Sequence, residues 1–182
     1  MRNLLKYAGI GLLVIGLAAC DGKKDQTSGE NSSTQAAQQV SLMDGKLTFS
    51  LPASISDKSD KLATQASNMH VYADNTQQRT IIVLIGDNTR QKLDVFARRL
   101  EDEQRSRDPQ LQVISNQSLT LNGHEAQELD TVISAHNQTS WSSIILTRVD
   151  DKIVTMQISL PADNQQQAQQ DAKKIIDSLK LK

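Results

Sequence analysis

Apolar and polar residues alternate through Leu47-Thr48-Phe49-Ser50-Leu51 before Pro52, a pattern that predicts a half-buried strand closed by the proline. Ala53 to Ser67 has no strong period and reads as loop or short helix. Met69 to Ala73 reads as a second strand, with Asp74-Asn75 as its turn. Thr80-Ile81-Ile82-Val83-Leu84-Ile85 is apolar at successive positions and β-branched, which predicts a central strand covered on both faces. After Gly86-Asp87-Asn88, Leu93, Phe96, Ala97 and Leu100 fall at helical spacing. The helix is expected to be capped by Asn88 or Thr89 and to pack over Ile81–Ile85. Acid-before-base pairs four apart, Asp94 with Arg98, Glu101 with Arg105 and Glu103 with Arg107, support it, and Asp108-Pro109 ends it.

Four strands follow as a meander: Leu111–Leu121, His124–Ala135, Gln138–Val149 and Ile153–Leu160. Asn122-Gly123 between the first two is the preferred pair for a two-residue type I′ turn. His136-Asn137 and Asp150-Asp151 make the other turns. Beyond Pro161, Asp163 with Gln166 resembles a capping box. Ala168, Ala172, Ile175, Ile176 and Leu179 form the inner stripe of a C-terminal helix. Three strands, a helix, four strands and a helix predict an α+β domain, a mostly antiparallel sheet flanked by helices on both faces. Its open edges can accept a partner strand or a second copy of the chain.

The N-terminus follows different rules. Arg2 and Lys6 precede an apolar run from Ala8 to Ala19 that is shorter than the roughly 20 residues a spanning helix needs and is interrupted by Gly9, Gly11 and Gly16. The run ends in Leu17-Ala18-Ala19-Cys20, the pattern of a bacterial lipobox. A peptidase needs the small residues, and lipid attachment needs the cysteine that follows. Residues 1–19 therefore read as a lipoprotein signal peptide. Cys20 is the expected lipidation site, carrying covalent diacylglycerol and an N-acyl chain, which together anchor stably where one chain would not. Asp21 resembles the sorting signal that retains such proteins in the inner membrane. Residues 20–41 are rich in Ser, Thr, Gln, Asn and Gly and bury too little to order themselves. They read as a flexible tether with ends about 25 Å apart, leaving 42–182 as the globular domain.

The chain has 20 Lys and Arg against 21 Asp and Glu, a net charge of −1. Residues 1–19 contain Arg2 and Lys6 and no Asp or Glu, so their removal leaves −3. That balance gives no basic excess for nucleic acid and no acidic tail. With one cysteine in the sequence, committed to lipid, the domain has no disulfide and no thiolate metal site. His70, His124 and His136 lack a partner at metal-binding spacing. They read as solvated strand and turn positions. No Gly-x-Ser-x-Gly elbow or phosphate loop occurs. Glu101-Asp102 and Asp150-Asp151 read as a helix surface and a turn. Arg98, Arg99, Arg105 and Arg107 are interleaved with Glu101, Asp102 and Glu103, which favours a salt-bridged solvated face over a patch for anionic lipid.

Several stretches carry a resemblance. They are the lipobox with Asp21, Gly45–Pro52, Arg98–Asp102, Arg105–Val113 and Thr155–Asp163. Together they resemble the DcrB family of enterobacterial lipoproteins over nearly the whole chain. The resemblance implies an inner-membrane lipoprotein facing the periplasm, needed for uptake of certain bacteriophages, with a PsbP/Mog1-like fold. It supplies no catalytic residues and no cofactor. Two function classes stand: a non-catalytic envelope factor acting through membrane and protein contacts, or a small-ligand carrier or enzyme with a dispersed site. A deep pocket with convergent polar groups favours the second, and a flat surface or exposed sheet edge the first.

Overall fold

The computed structural model describes residues 37–63, 66–135 and 137–182. The expected signal peptide, Cys20, Asp21 and the tether up to residue 36 lie outside the described residues, as does His136. Ala37–Lys182 is one compact unit. Its elements are β1 (Gln38–Leu42), β2 (Leu47–Leu51), β3 (Ser56–Asp57), α1 (Ser59–Leu62), β4 (Met69–Ala73), β5 (Thr80–Asp87), α2 (Leu93–Arg107), β6 (Gln112–Leu121), β7 (His124–Ala135), β8 (Gln138–Val149), β9 (Lys152–Pro161), α3 (Gln165–Asp177) and β10 (Lys180–Leu181). A seven-stranded sheet runs β3-β4-β5-β9-β8-β7-β6, and a three-stranded sheet runs β1-β2-β10. Every pairing among the described residues is antiparallel.

The first described strand, β1, starts at Gln38, inside the stretch expected to be tether. β1 pairs with β2 from Gln38↔Leu51 to Leu42↔Leu47. No side chain of β1 is fully buried; backbone pairing with β2 and the half-buried Val40 and Leu42, which pack against the core, place it. The connecting turn holds Met43, Asp44 and Gly45 at φ 54°, 55° and 84°, and of the three only glycine adopts that region without steric cost.

The two faces of the large sheet carry separate cores. On one face Val83, Met156, Ile158, Leu160, Ile145 and Trp141 pack with Phe49 of β2 and with Ala172, Ile175 and Ile176 of α3. Phe49 and Tyr72 meet edge to face with centroids 5.6 Å apart, the favoured aromatic geometry. On the other face Leu93 and Ala97 of α2 pack on Leu129, Ile144, Leu146 and Ile153. Side chains alternate along β8, so Ile144 and Leu146 point away from Ile145. Helices therefore cover both faces of a mostly antiparallel sheet, the α+β architecture expected.

The placement of α2 differs from expectation. It lies over β6, β7 and β8, not over β5. Ile81 and Val83 of β5 are buried on the α3 side, but Leu84, on the opposite face, is 41% exposed. The apolar patch decides this: beneath α2 it is built from Leu129, Ile144, Leu146 and Ile153, while that face of β9 continues as Thr155, Gln157 and Ser159. Arg148 fixes the approach by bonding Asn88 Oδ1 at 2.9 Å and the Gln91 carbonyl at 2.5 Å. Asn88 is thereby taken from its expected capping role. Lys92 occupies the N-cap without a side-chain bond.

The strand covered on both faces is β8, buried without interruption from Trp141 to Thr147. Serines 142 and 143 hide that run in the sequence. At α3 the cap is Asn164, accepting from the Gln167 N–H at 3.1 Å, one residue beyond the expected Asp163. Two of the three expected helix ion pairs form, Asp94–Arg98 at 3.4 Å and Glu101–Arg105 at 2.9 Å.

Candidate functional site

The residues singled out in the sequence are dispersed. His70 is half-buried on β4, opposite Val83 of β5. His124 sits beside the β6–β7 turn with Nδ1 3.0 Å from the Arg148 carbonyl oxygen. Asp150 is exposed in its turn, paired with Lys46. Glu101 pairs with Arg105 along α2 and accepts a bond from Asn116 Nδ2 at 3.3 Å. Among the described residues no group of three or more His, Cys, Asp or Glu side chains stands together as a metal site would require.

What the fold does bring together is a buried polar chain that sequence reading missed. On the α3 side of the sheet Trp141 Nε1 donates to Ser143 Oγ at 2.8 Å, and Ser143 Oγ donates to Asp130 Oδ1 at 2.5 Å. Ser115 Oγ donates to the other carboxylate oxygen at 3.2 Å. Burial pushes the Asp130 carboxyl above its ordinary range, and the two hydroxyl bonds oppose that rise. Its neighbour Glu128 is also raised, chiefly by burial, against the Gln117 amide that donates to it. A buried indole N–H needs an acceptor, so Trp141 two residues before Ser143 was the signal available. The carboxylate is 8% exposed, held between β6 and β8 by the hydroxyls of Ser115 and Ser143.

Surface features open to partners include two grooves and a sheet edge. A cleft of about 400 Å³ lies at the end of the large sheet, lined by amide and hydroxyl side chains such as Gln78, Thr80, Gln138, Ser140 and Ser159. A second groove, of about 320 Å³, is largely apolar, with Ala37, Leu51, Pro52, Leu160 and Ile175 in its lining. Its rim carries Asp171, 3.8 Å from Arg79 and 3.3 Å from Lys174. The third feature is β6, which ends the large sheet and, among the described residues, pairs on one side only, with β7.

The fold is shared with structures of very different sequence. A solution structure of cyanobacterial PsbP (CyanoP) from Synechocystis superposes with a TM-score of 0.65 at 11% identity, covering 84% of this chain and 96% of that one. A Pseudomonas aeruginosa protein of unknown function superposes at 0.53 and 9% identity, covering 80% and 97%. These likenesses establish the PsbP-like fold. Sequence carries the kinship further. A protein named inner membrane lipoprotein DcrB, from Shigella flexneri, is 55% identical over 98% of each chain. The DcrB family profile matches residues 46–178, from just before β2 to just past α3. That span holds the large sheet, α2 and α3, the core beneath α2 and most of the core beneath α3, and on it the chain belongs to the DcrB family.

Proposed function

We propose that this chain is an inner-membrane lipoprotein whose folded domain faces the periplasm and works as a tethered binding module without turnover chemistry. The observation that carries this reading is the 55% identity, over nearly its full length, to a protein named as an inner membrane lipoprotein. In this reading residues 1–19 are removed, Cys20 bears the lipid, and Asp21 keeps the protein in the inner membrane. The polar residues that follow let the domain search a small volume above the bilayer, raising its effective concentration for partners anchored there. Its partners are envelope proteins, and through them it serves bacteriophage adsorption and uptake, as the family resemblance implies.

Lipidation is tested by labelled palmitate: wild type incorporates it and Cys20→Ser does not, and label on the serine variant rejects the assignment. Asp21→Ser is expected to shift the protein to the outer-membrane fraction. For function, a folded but unlipidated domain is expected to leave cells resistant to the phages that need the protein. Full restoration of sensitivity by such a soluble domain would make tethering irrelevant. The apolar groove supports a second reading, a carrier of a small amphiphile. Mass spectrometry of the gently purified chain distinguishes them, since a carrier retains a stoichiometric lipid and a protein-binding module does not.

A further inference from the structure

We propose that β6 is a self-association edge, pairing antiparallel with β6 of a second copy of this chain across a twofold axis to join two seven-stranded sheets into one. Sheet edges are normally blunted by brevity, charge or proline. The large sheet's other edge, β3, has two residues, and in the small sheet β10 has two and β1 has five. β6 has ten residues, Gln112–Leu121, about 30 Å of strand. In an antiparallel strand alternate residues direct their N–H and C=O to opposite neighbours. Half the backbone groups of β6 thus point away from β7, and no strand among the described residues receives them.

The composition of β6 fits a second copy in particular. A twofold axis sets identical segments side by side, so any charge on the strand would meet its own kind. The sequence QVISNQSLTL contains no Lys, Arg, Asp, Glu or Pro. The carboxylates that bond to β6 side chains come from other elements and each already accepts a donor: Glu101 from Arg105 and the Asn116 amide, Glu128 from the Gln117 amide, and Asp130 from Ser115 and Ser143. Ile114 stands at the bulge between Val113 and Ser115 and is 45% exposed, an apolar side chain that a strand laid along the edge would cover.

The experiment uses the full-length chain in native membranes, with single cysteines replacing Ile114, Asn116, Ser118 or Thr120 on β6 and Gln39 on β1. Mild oxidation is expected to give a dimer band from the β6 series, strongest at one position and weaker on either side, with Gln39→Cys no higher than wild type. Adding Lys at two edge positions flanking the best cysteine is expected to weaken the band about tenfold or more, since like charges then face each other. Co-expression with a chain carrying Glu at the same two positions restores it, which loss of folding could not do. Equal crosslinking at Gln39, no dimer anywhere on β6, indifference to the lysines or failure of the Lys–Glu mixture to restore the band overturns the proposal. So does an adduct whose mass is that of a different protein, which would make the edge a site for a foreign strand.

Discussion

A carboxylate inside a protein must be given donors or lose its charge. Asp130 is given two hydroxyls, from Ser115 and Ser143, and burial still raises its folded-state pKa. For an acid whose folded pKa lies above the unfolded one, the folded state binds the proton more tightly. The stability cost is then fully present above the folded value and is relieved as pH falls toward the unfolded value, about 3.9. Asp130→Asn removes that cost without changing shape. The variant's stability relative to wild type is therefore expected to be higher at about pH 7 than at about pH 4, read from urea unfolding at both. A difference that is constant or larger in acid would show that the hydroxyl bonds outweigh burial. Tyr72, half of the edge-to-face pair with Phe49, is pushed up to about 12 by burial and the Asp57 carboxylate. It remains protonated throughout that range.

At the scale of elements, α2 separates two accounts of the fold. Leu93 is 2% exposed and lies with Ala97 on Leu129, Ile144 and Leu146. Leu93→Ala is expected to cost on the order of 2–5 kcal/mol, as deletion of a buried leucine does. Leu84, on the face of β5 that α2 does not reach, is expected to tolerate alanine within about 0.5 kcal/mol. Reversed magnitudes in denaturant titrations would return α2 to β5. The cap of α3 gives a smaller test. Asn164 accepts from Gln167, so Asn164→Ala should cost about 1 kcal/mol, whereas Asp163→Ala should be close to neutral.

The whole molecule depends on strands outside the 46–178 family span. β1 and β10 flank β2 on either side, and Leu181 donates its backbone N–H to Asn122 Oδ1 at 2.9 Å. That bond ties the C-terminus to the β6–β7 turn. Leu179 and Leu181 are both buried. Ending the chain at Ser178 removes both leucines, each contributing about 1.5–3 kcal/mol. The midpoint of urea unfolding is expected to fall accordingly, and an unchanged midpoint would mean that β10 is an ornament of the fold.

The sequence by itself determined what local rules encode. Asn122-Gly123 specified its hairpin because both residues adopt positive φ, at 50° and 87°. The stripe from Ala168 to Ile176 specified α3 and its inner face, and the lipobox specified the expected address at Cys20. Tertiary structure decided what those rules leave open. Alternation reports whether a face is apolar but not which element covers it, so α2 followed the patch on β7 and β8 and left Leu84 in solvent. Small polar residues carry no burial signal, so Ser142 and Ser143 concealed the strand enclosed on both sides. The Asp130 chain joins residues from three strands, and β1 is held by backbone pairing with β2 and by Val40 and Leu42 against the core. Both depend on register, which no stretch of sequence holds alone.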